Sequence, residues 1–162
     1  MTRKEIIIVD DNEEYLLVIE QMFHLIIEEK DQNIDVVPFL NPKKALRYIR
    51  ENFSSVCMIV TDQNMPEMEG HELLNSMSCL VTEAALPFRV MCASEAKYHV
   101  DKCLSFNRNQ VFALNKPVNF DTYYSLLENL FIIIKMREEQ NSFPGVDIQN
   151  DCVCATTASS IY

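Results

Sequence analysis

The sequence predicts an α/β fold in which a single parallel sheet is covered by helices on both faces. Two observations indicate this fold. Short apolar runs rich in β-branched residues recur along the 162-residue chain, and stretches with apolar residues at helical spacing separate them. Such alternation is typical of βαβ units, whose crossovers place helices on both sides of a parallel sheet. We therefore expect five strands and five helices.

Each predicted element is supported by its own residues. Asn12 and Asn41 are suited to cap the first two helices, and Pro42 fits a first helical position. Pro38 cannot donate a backbone hydrogen bond, which indicates that the second strand lies at an edge of the sheet. The predicted strands cover residues 6–9, 34–39, 56–61, 88–93 and 111–114, and the predicted helices cover residues 13–29, 42–51, 71–78, 96–105 and 120–137.

Composition excludes several classes of protein. The formal net charge of −10 and the pI of about 4.7 argue against direct nucleic-acid binding, which requires a basic surface. No apolar run approaches the roughly 18 residues of a membrane span, and the run from Ile6 to Val9 is too short for a secretory leader. Two glycines in the whole chain exclude glycine-rich phosphate-binding loops. We expect a cytoplasmic protein without membrane contact.

The domain organisation is predicted to be simple. Residues 1–137 have the length and apolar content of one domain, and residues 138–162 read as a polar, flexible tail. Four of the six cysteines lie in apolar patterns and, with no secretory leader expected, are predicted to be reduced thiols: Cys57, Cys79, Cys92 and Cys103. Cys152 and Cys154 form a CxC pair in the tail, which is a weak indication of metal or redox chemistry.

Charged residues follow three of the predicted strands: Asp10 and Asp11 the first, Asp62 the third and Lys116 the fifth. Because ligand sites of open α/β sheets lie at the carboxyl ends of the strands, we expect these side chains to meet. Clustered carboxylates require a cation or raised pKa values, and Mg²⁺ suits oxygen ligands. Lys116 can pair with Asp62 or with a phosphoryl oxygen. Asp62 is then a candidate nucleophile that forms an aspartyl-phosphate.

Three motifs in this order resemble the receiver domain of two-component response regulators, including the single-domain chemotaxis type. They are the segments IIIVDDN at 6–12, TDQNMPEMEG at 61–70 and KP at 116–117. The resemblance covers residues 4–137. It implies a flavodoxin-like, doubly wound sheet of order 2-1-3-4-5. It also implies a phosphoacceptor that switches its protein contacts and is not an enzyme in its own right.

The resemblance also implies site roles. Asp11, Asp62 and the backbone carbonyl of Asn64 would hold Mg²⁺, with Asp10 acting through water. A phosphohistidine on a histidine kinase or histidine phosphotransfer domain would donate the phosphoryl group to Asp62, with Lys116 facing it. The downstream protein is not indicated by the sequence.

The family also has a switch hydroxyl at the end of strand four. Ser94, which lies 22 residues before Lys116, is our choice, with Ala93 as the alternative because the segment holds one extra residue. Two departures put the usual output switch in doubt. Ala113 stands where an aromatic residue is common, and Glu95 stands where a small residue is usual.

Other interpretations remain open at this stage. One is a protein-binding module of the same fold that works without phosphorylation. Another is a phosphatase of the haloacid-dehalogenase type, although such enzymes generally carry a second Asp where this chain has Asn64. The apolar run 131–134 in the last helix indicates either deep burial or a homodimer surface.

Overall fold

The computed structural model describes residues 3–77, 87–93, 111–116 and 119–141. Five strands form one sheet of order β2-β1-β3-β4-β5, and all neighbouring strands are parallel. The predicted fold and strand order are therefore confirmed, and β2, which contains Pro38, lies at an edge. The strands are β1 (Lys4–Val9), β2 (Ile34–Phe39), β3 (Val56–Asp62), β4 (Phe88–Ala93) and β5 (Val111–Asn115).

Four helices lie within the described residues, and the predicted helix at 96–105 falls outside them. The third helix is shorter than the predicted span of 71–78, because residues 76 and 77 form a turn. The last helix continues past 137, where Arg, Glu and Gln are good helix formers. The helices are α1 (Glu13–Glu29), α2 (Pro42–Glu51), α3 (Gly70–Asn75) and α4 (Phe120–Asn141).

The predicted asparagine caps are present. The side chain of Asn12 accepts a hydrogen bond from the amide of Tyr15 at 3.0 Å. The side chain of Asn41 accepts from the amides of Lys43 and Lys44 at 3.0 and 3.1 Å. These bonds satisfy amides that have no partner within the helix, so they fix where α1 and α2 begin.

The core has two layers because successive strand residues point to opposite faces of the sheet. Ile6 and Ile8 of β1 pack under α1 and α4, whereas Ile7 and Val9 pack under α2 and α3. A sheet buried on both faces explains why the strands read as continuous apolar runs. Within the described part of the chain, no helix is long and apolar enough to cross a membrane.

The strand register aligns the carboxyl ends of the three central strands. Val9 of β1 pairs with Thr61 of β3, and Asp62 pairs with Cys92 of β4. Ala93, the last residue of β4, pairs with Asn115 of β5. The residues that follow these strands therefore leave the sheet at one edge, side by side.

Candidate functional site: a carboxylate pair bridged by a lysine

Two acidic side chains and one lysine meet where β1, β3 and β5 end. Asp10 follows β1, Asp62 is the last residue of β3, and Lys116 follows β5. Backbone bonds hold the lysine in place, since the amide of Lys116 donates to the carbonyl of Ala93 at 2.8 Å. The site is therefore built on strand ends, which are rigid positions.

Lys116 bridges the two carboxylates. Its Nζ lies 2.7 Å from Oδ2 of Asp10 and 2.8 Å from Oδ1 of Asp62. Both aspartates are buried, with 3% and 6% of their surfaces exposed, and the lysine side chain is 21% exposed. Charge-assisted bonds of this kind are short and strong. One ammonium and two carboxylates leave the cluster with a formal charge of −1.

The second oxygen of each carboxylate is held by the backbone. Oδ1 of Asp10 accepts from the amide of Asn12 at 2.9 Å, and Oδ2 of Asp62 accepts from the amide of Asn64 at 2.8 Å. Each carboxylate thus has one oxygen on the lysine and one on a loop amide. Both side chains are oriented by these contacts, and each oxygen keeps further capacity to accept bonds.

Burial and charge act against each other on the pKa values. Burial raises the pKa of Asp10, and the hydrogen bonds from Lys116 and Asn12 oppose that rise without cancelling it. Burial lowers the pKa of Lys116, but its hydrogen bonds to Asp10 and Asp62 outweigh burial, so the pKa is raised. The ammonium form of Lys116 is therefore firmly held at neutral pH.

The donor set fits a hard divalent cation. Asp11 follows Asp10 in the chain and is exposed. With Asp11 ionised, the four side chains carry a formal charge of −2, and every available ligand atom is oxygen, the donor Mg²⁺ prefers. Among the described residues, no three His, Cys, Asp or Glu side chains are grouped as a metal site. A Mg²⁺ ion commonly retains several waters and needs few protein ligands, so this arrangement remains compatible with it.

The loop from β3 to α3 closes tightly against the end of β3. The amide of Gly70 donates to the carbonyl of Gln63 at 2.9 Å. A Cβ atom added at Gly70 would lie 2.1 Å from the carbonyl oxygen of Asp62. Only glycine fits this close approach of two backbones. Glu67 in the same loop has a φ of 70° and contacts α2, with Oε1 3.3 Å from Nδ2 of Asn41.

A buried glutamine network supports this loop, and sequence reasoning missed it. Gln63 is fully buried, its Nε2 lies 3.0 Å from Oε2 of Glu69 and 2.9 Å from Nδ1 of His71, and its Oε1 accepts from the amide of His71. The available signal was Gln63 itself, a polar residue directly after a buried strand, which requires partners in the fold.

One aromatic ring lies beside Lys116, and a second ring packs on the first. The Nζ of Lys116 lies 4.3 Å from the ring centroid of Tyr15. Tyr15 in turn stacks on Tyr123 of α4, with centroids 5.8 Å apart. The signal for this contact was weak, because both tyrosines sit at ordinary helix positions.

Several predicted residues have no described side-chain geometry. Ser94 and Glu95 lie outside the described residues, as does Pro117. Ala93, the alternative switch position, is the buried last residue of β4. For Ala113, the structure describes the backbone position in β5 alone.

The surface of α4 is partly apolar. Phe131 is buried under the sheet, whereas Ile132 and Met136 are 48% and 59% exposed. The apolar run at 131–134 is thus split between the core and the surface for those residues whose side chains are described.

Comparisons with known proteins agree with this architecture. The sequence profile of the response regulator receiver domain matches residues 6–128. The two-component response regulator ARR2 of Arabidopsis thaliana is 26% identical over 136 residues, which cover 84% of this chain and 18% of that protein. The chain therefore spans less than a fifth of the length of this curated relative.

Solved structures show the same fold. A response regulator receiver domain protein from Clostridium thermocellum has a TM-score of 0.62 at 18% identity, covering 86% of this chain and 97% of that one. A CheX–CheY–BeF₃–Mg²⁺ complex from Borrelia burgdorferi has a TM-score of 0.56 at 18% identity, covering 79% of this chain and 89% of that one.

The chain belongs to the response regulator receiver domain family. Members of this family are regulatory domains of two-component signalling that interact with kinase or phosphotransfer partners and with downstream proteins. They typically use Mg²⁺ and an aspartyl-phosphate, and in general they are not enzymes.

Proposed function

We propose that the protein is a phosphoacceptor whose Asp62 takes a phosphoryl group from a phosphohistidine on a histidine kinase or histidine phosphotransfer domain. The observation that carries the proposal is Lys116, whose Nζ pairs with the buried carboxylates of both Asp10 and Asp62 at the strand ends. The output is a change in contacts with a downstream protein. Residues 1–137 form the receiver domain, and the protein acts in the cytoplasm.

The proposed roles combine the contacts of Lys116 with what the family resemblance implies. In transfer, the P–N bond to the imidazole breaks, a P–O bond to an oxygen of Asp62 forms, and the imidazole takes a proton as it leaves. Lys116 is within reach of the charge that develops on the phosphoryl oxygens. Asp11, Asp62 and the carbonyl of Asn64 would hold Mg²⁺, with Asp10 acting through water. The bound ion would supply further charge stabilisation.

Two further residue-level parts complete the proposal. Ser94 is proposed as the hydroxyl that responds to the phosphoryl group. A homodimer through α4 is proposed as one form of output, and the exposed Ile132 and Met136 support a contact surface on that helix.

The test is intact-mass spectrometry with acetyl phosphate and Mg²⁺. We expect one phosphoryl adduct on the wild-type chain, none without Mg²⁺, and none on Asp62→Asn. Asp35→Asn is the matched control, because Asp35 lies on the edge strand β2, away from the site, and pairs with Arg3. Absence of an adduct on the wild-type chain, or an adduct that survives Asp62→Asn, would contradict the proposal.

A second candidate is a binding module of the same fold that works without phosphorylation. Lys116 favours it, since pairing with both carboxylates joins the ends of β1, β3 and β5 whether or not a phosphoryl group is transferred. A thermal-shift titration with Mg²⁺ and beryllofluoride separates the two. A ligand at 100 times its Kd stabilises the folded state by about 2.7 kcal/mol. A midpoint that does not respond to either ion would favour the binding module.

A further inference from the structure

Tyr15 lies against the lysine of the site and is not among the residues that the receiver motifs contain. It belongs to the first turn of α1, and its ring centroid is 4.3 Å from Nζ of Lys116. A cation within about 6 Å of an aromatic centroid is attracted by the negative face of the ring. Among the described residues, the ammonium of Lys116 therefore contacts two carboxylates and one ring.

The ring of Tyr15 is itself held in place. Tyr123 stacks on it with an interplanar angle of 25°, and Tyr123 is 97% buried against the core, with 3% of its surface exposed. The amide of Tyr15 donates to the capping side chain of Asn12, which fixes the start of α1. Helix α1 and helix α4 thus clamp this ring beside the lysine.

The ring face, and not the hydroxyl, is what the site uses. Within the part of the chain that the structure describes, the hydroxyls of Tyr15 and Tyr123 are buried and have no hydrogen-bond partner. Burial raises the pKa of Tyr15 to about 12, so the phenol is neutral at physiological pH. A buried hydroxyl without a partner is a cost, and it cannot be the reason the ring sits there.

We propose that Tyr15 is a positioning residue for Lys116. A lysine ammonium is a mobile point charge on a flexible four-carbon stem. The two carboxylates hold Nζ by two contacts, and the ring adds a third contact that keeps Nζ between the carboxylates. The role of this contact in phosphoryl transfer rests on the proposed function. During transfer the lysine must exchange Asp62 for a phosphoryl oxygen, whereas its contact with the ring does not need to break.

Two substitutions at position 15 distinguish the effect of the aromatic ring from that of side-chain volume. Tyr15→Phe keeps the ring and removes the unpaired hydroxyl, so its phosphorylation rate with acetyl phosphate should stay within about twofold of wild type. Tyr15→Leu keeps an apolar side chain without the ring charge. Cation–π attraction of about 0.5–2 kcal/mol corresponds to a loss of about 2- to 30-fold in rate. Equal rates for the two variants would overturn the inference.

A double-mutant cycle with Lys116→Met tests the contact without relying on phosphorylation. With Lys116 present, the unfolding equilibrium constant of Tyr15→Leu should exceed that of Tyr15→Phe. The ratio of these two constants, leucine variant over phenylalanine variant, should fall by about 2- to 30-fold in the Lys116→Met background. A ratio that is the same in both backgrounds would mean that Tyr15 only fills space. If Tyr15→Leu does not fold, pentafluorophenylalanine at position 15 keeps the shape and reverses the ring charge, and it should behave as the leucine variant does.

The two proposals can fail separately. A wild-type chain that forms no adduct, together with clear coupling between positions 15 and 116, would refute phosphoryl transfer and leave the positioning role in place. An adduct on the wild-type chain without such coupling would refute the positioning role alone.

Discussion

Replacing Gly70 by alanine tests whether the loop that carries Asn64 is held by the close approach of two backbones. The new Cβ would lie 2.1 Å from the carbonyl oxygen of Asp62, 3.0 Å from its carbonyl carbon and 3.1 Å from Cα of Gln63. All three atoms are backbone, so no side chain can rotate out of the way. Helix α3 or the end of β3 must move.

The magnitude follows from what that movement breaks. Overpacking in a dense region costs about 1–3 kcal/mol, and the hydrogen bond from the amide of Gly70 to the carbonyl of Gln63 contributes about 1 kcal/mol. We expect Gly70→Ala to lower the free energy of unfolding by about 2–4 kcal/mol. Since the displaced atoms belong to Asp62 itself, phosphorylation should fall as well.

The assay is urea unfolding followed by circular dichroism, with phosphorylation measured on the same samples. Asn75→Ala is the control, because it also introduces an alanine into α3, but away from the close approach, and it should change stability by less than about 0.5 kcal/mol. A Gly70→Ala chain as stable as wild type, with unchanged phosphorylation, would refute the reasoning.

Three further predictions concern the charges and a helix cap. The pKa of Asp10 is raised above 3.8, so the folded chain holds this proton more tightly than the unfolded chain; its contribution to stability therefore falls as the pH rises from 3.8 through the raised pKa. Lys116→Met should raise the pKa of Asp10 further, because the hydrogen bond that opposes burial is lost. The same variant should lower the free energy of unfolding by about 3 kcal/mol at neutral pH. This value is near the lower end of the range for breaking a buried ion pair, because the lysine is 21% exposed. Carboxyl ¹³C titration by NMR gives the pKa, and a fall in the Lys116→Met variant would contradict this account. Asn41→Ala should lower the free energy of unfolding by about 1 kcal/mol, because two amides of α2 lose their acceptor. Urea unfolding measures this loss, with Lys44→Ala as the control because its backbone amide still bonds to Asn41. Equal losses in the two variants would contradict the role of the cap.

The fold was largely predictable because the two core layers leave a clear pattern. The doubly buried strands read as apolar runs, and the asparagine caps mark where α1 and α2 begin. Helix ends were less predictable. Residues 76 and 77 turn although Met77 continues the apolar pattern of α3, and α4 runs past 137 on polar residues. Helix ends depend on local backbone contacts that composition does not specify.

The charged members of the site were predictable because each directly follows a strand, and strand order brings those ends to one edge. Their supporting residues were not. Gln63 and His71 are eight positions apart, and Tyr15 and Lys116 are 101 apart, so neither contact follows from spacing. Such contacts arise from packing between elements, which a single sequence does not encode in an obvious pattern.

The segment between β3 and α3 is fastened at both of its sides. Gly70 ties its far end back to Gln63, and Glu67 reaches across to Asn41 and to Lys43, whose Nζ lies 3.3 Å from Oε2 of Glu67. A shift of the loop that follows Asp62 would therefore be passed directly to the first turn of α2. Amide hydrogen exchange at Lys43 and Lys44 would act as a sensor of events in the pocket, on the opposite side of the sheet from the aromatic pair.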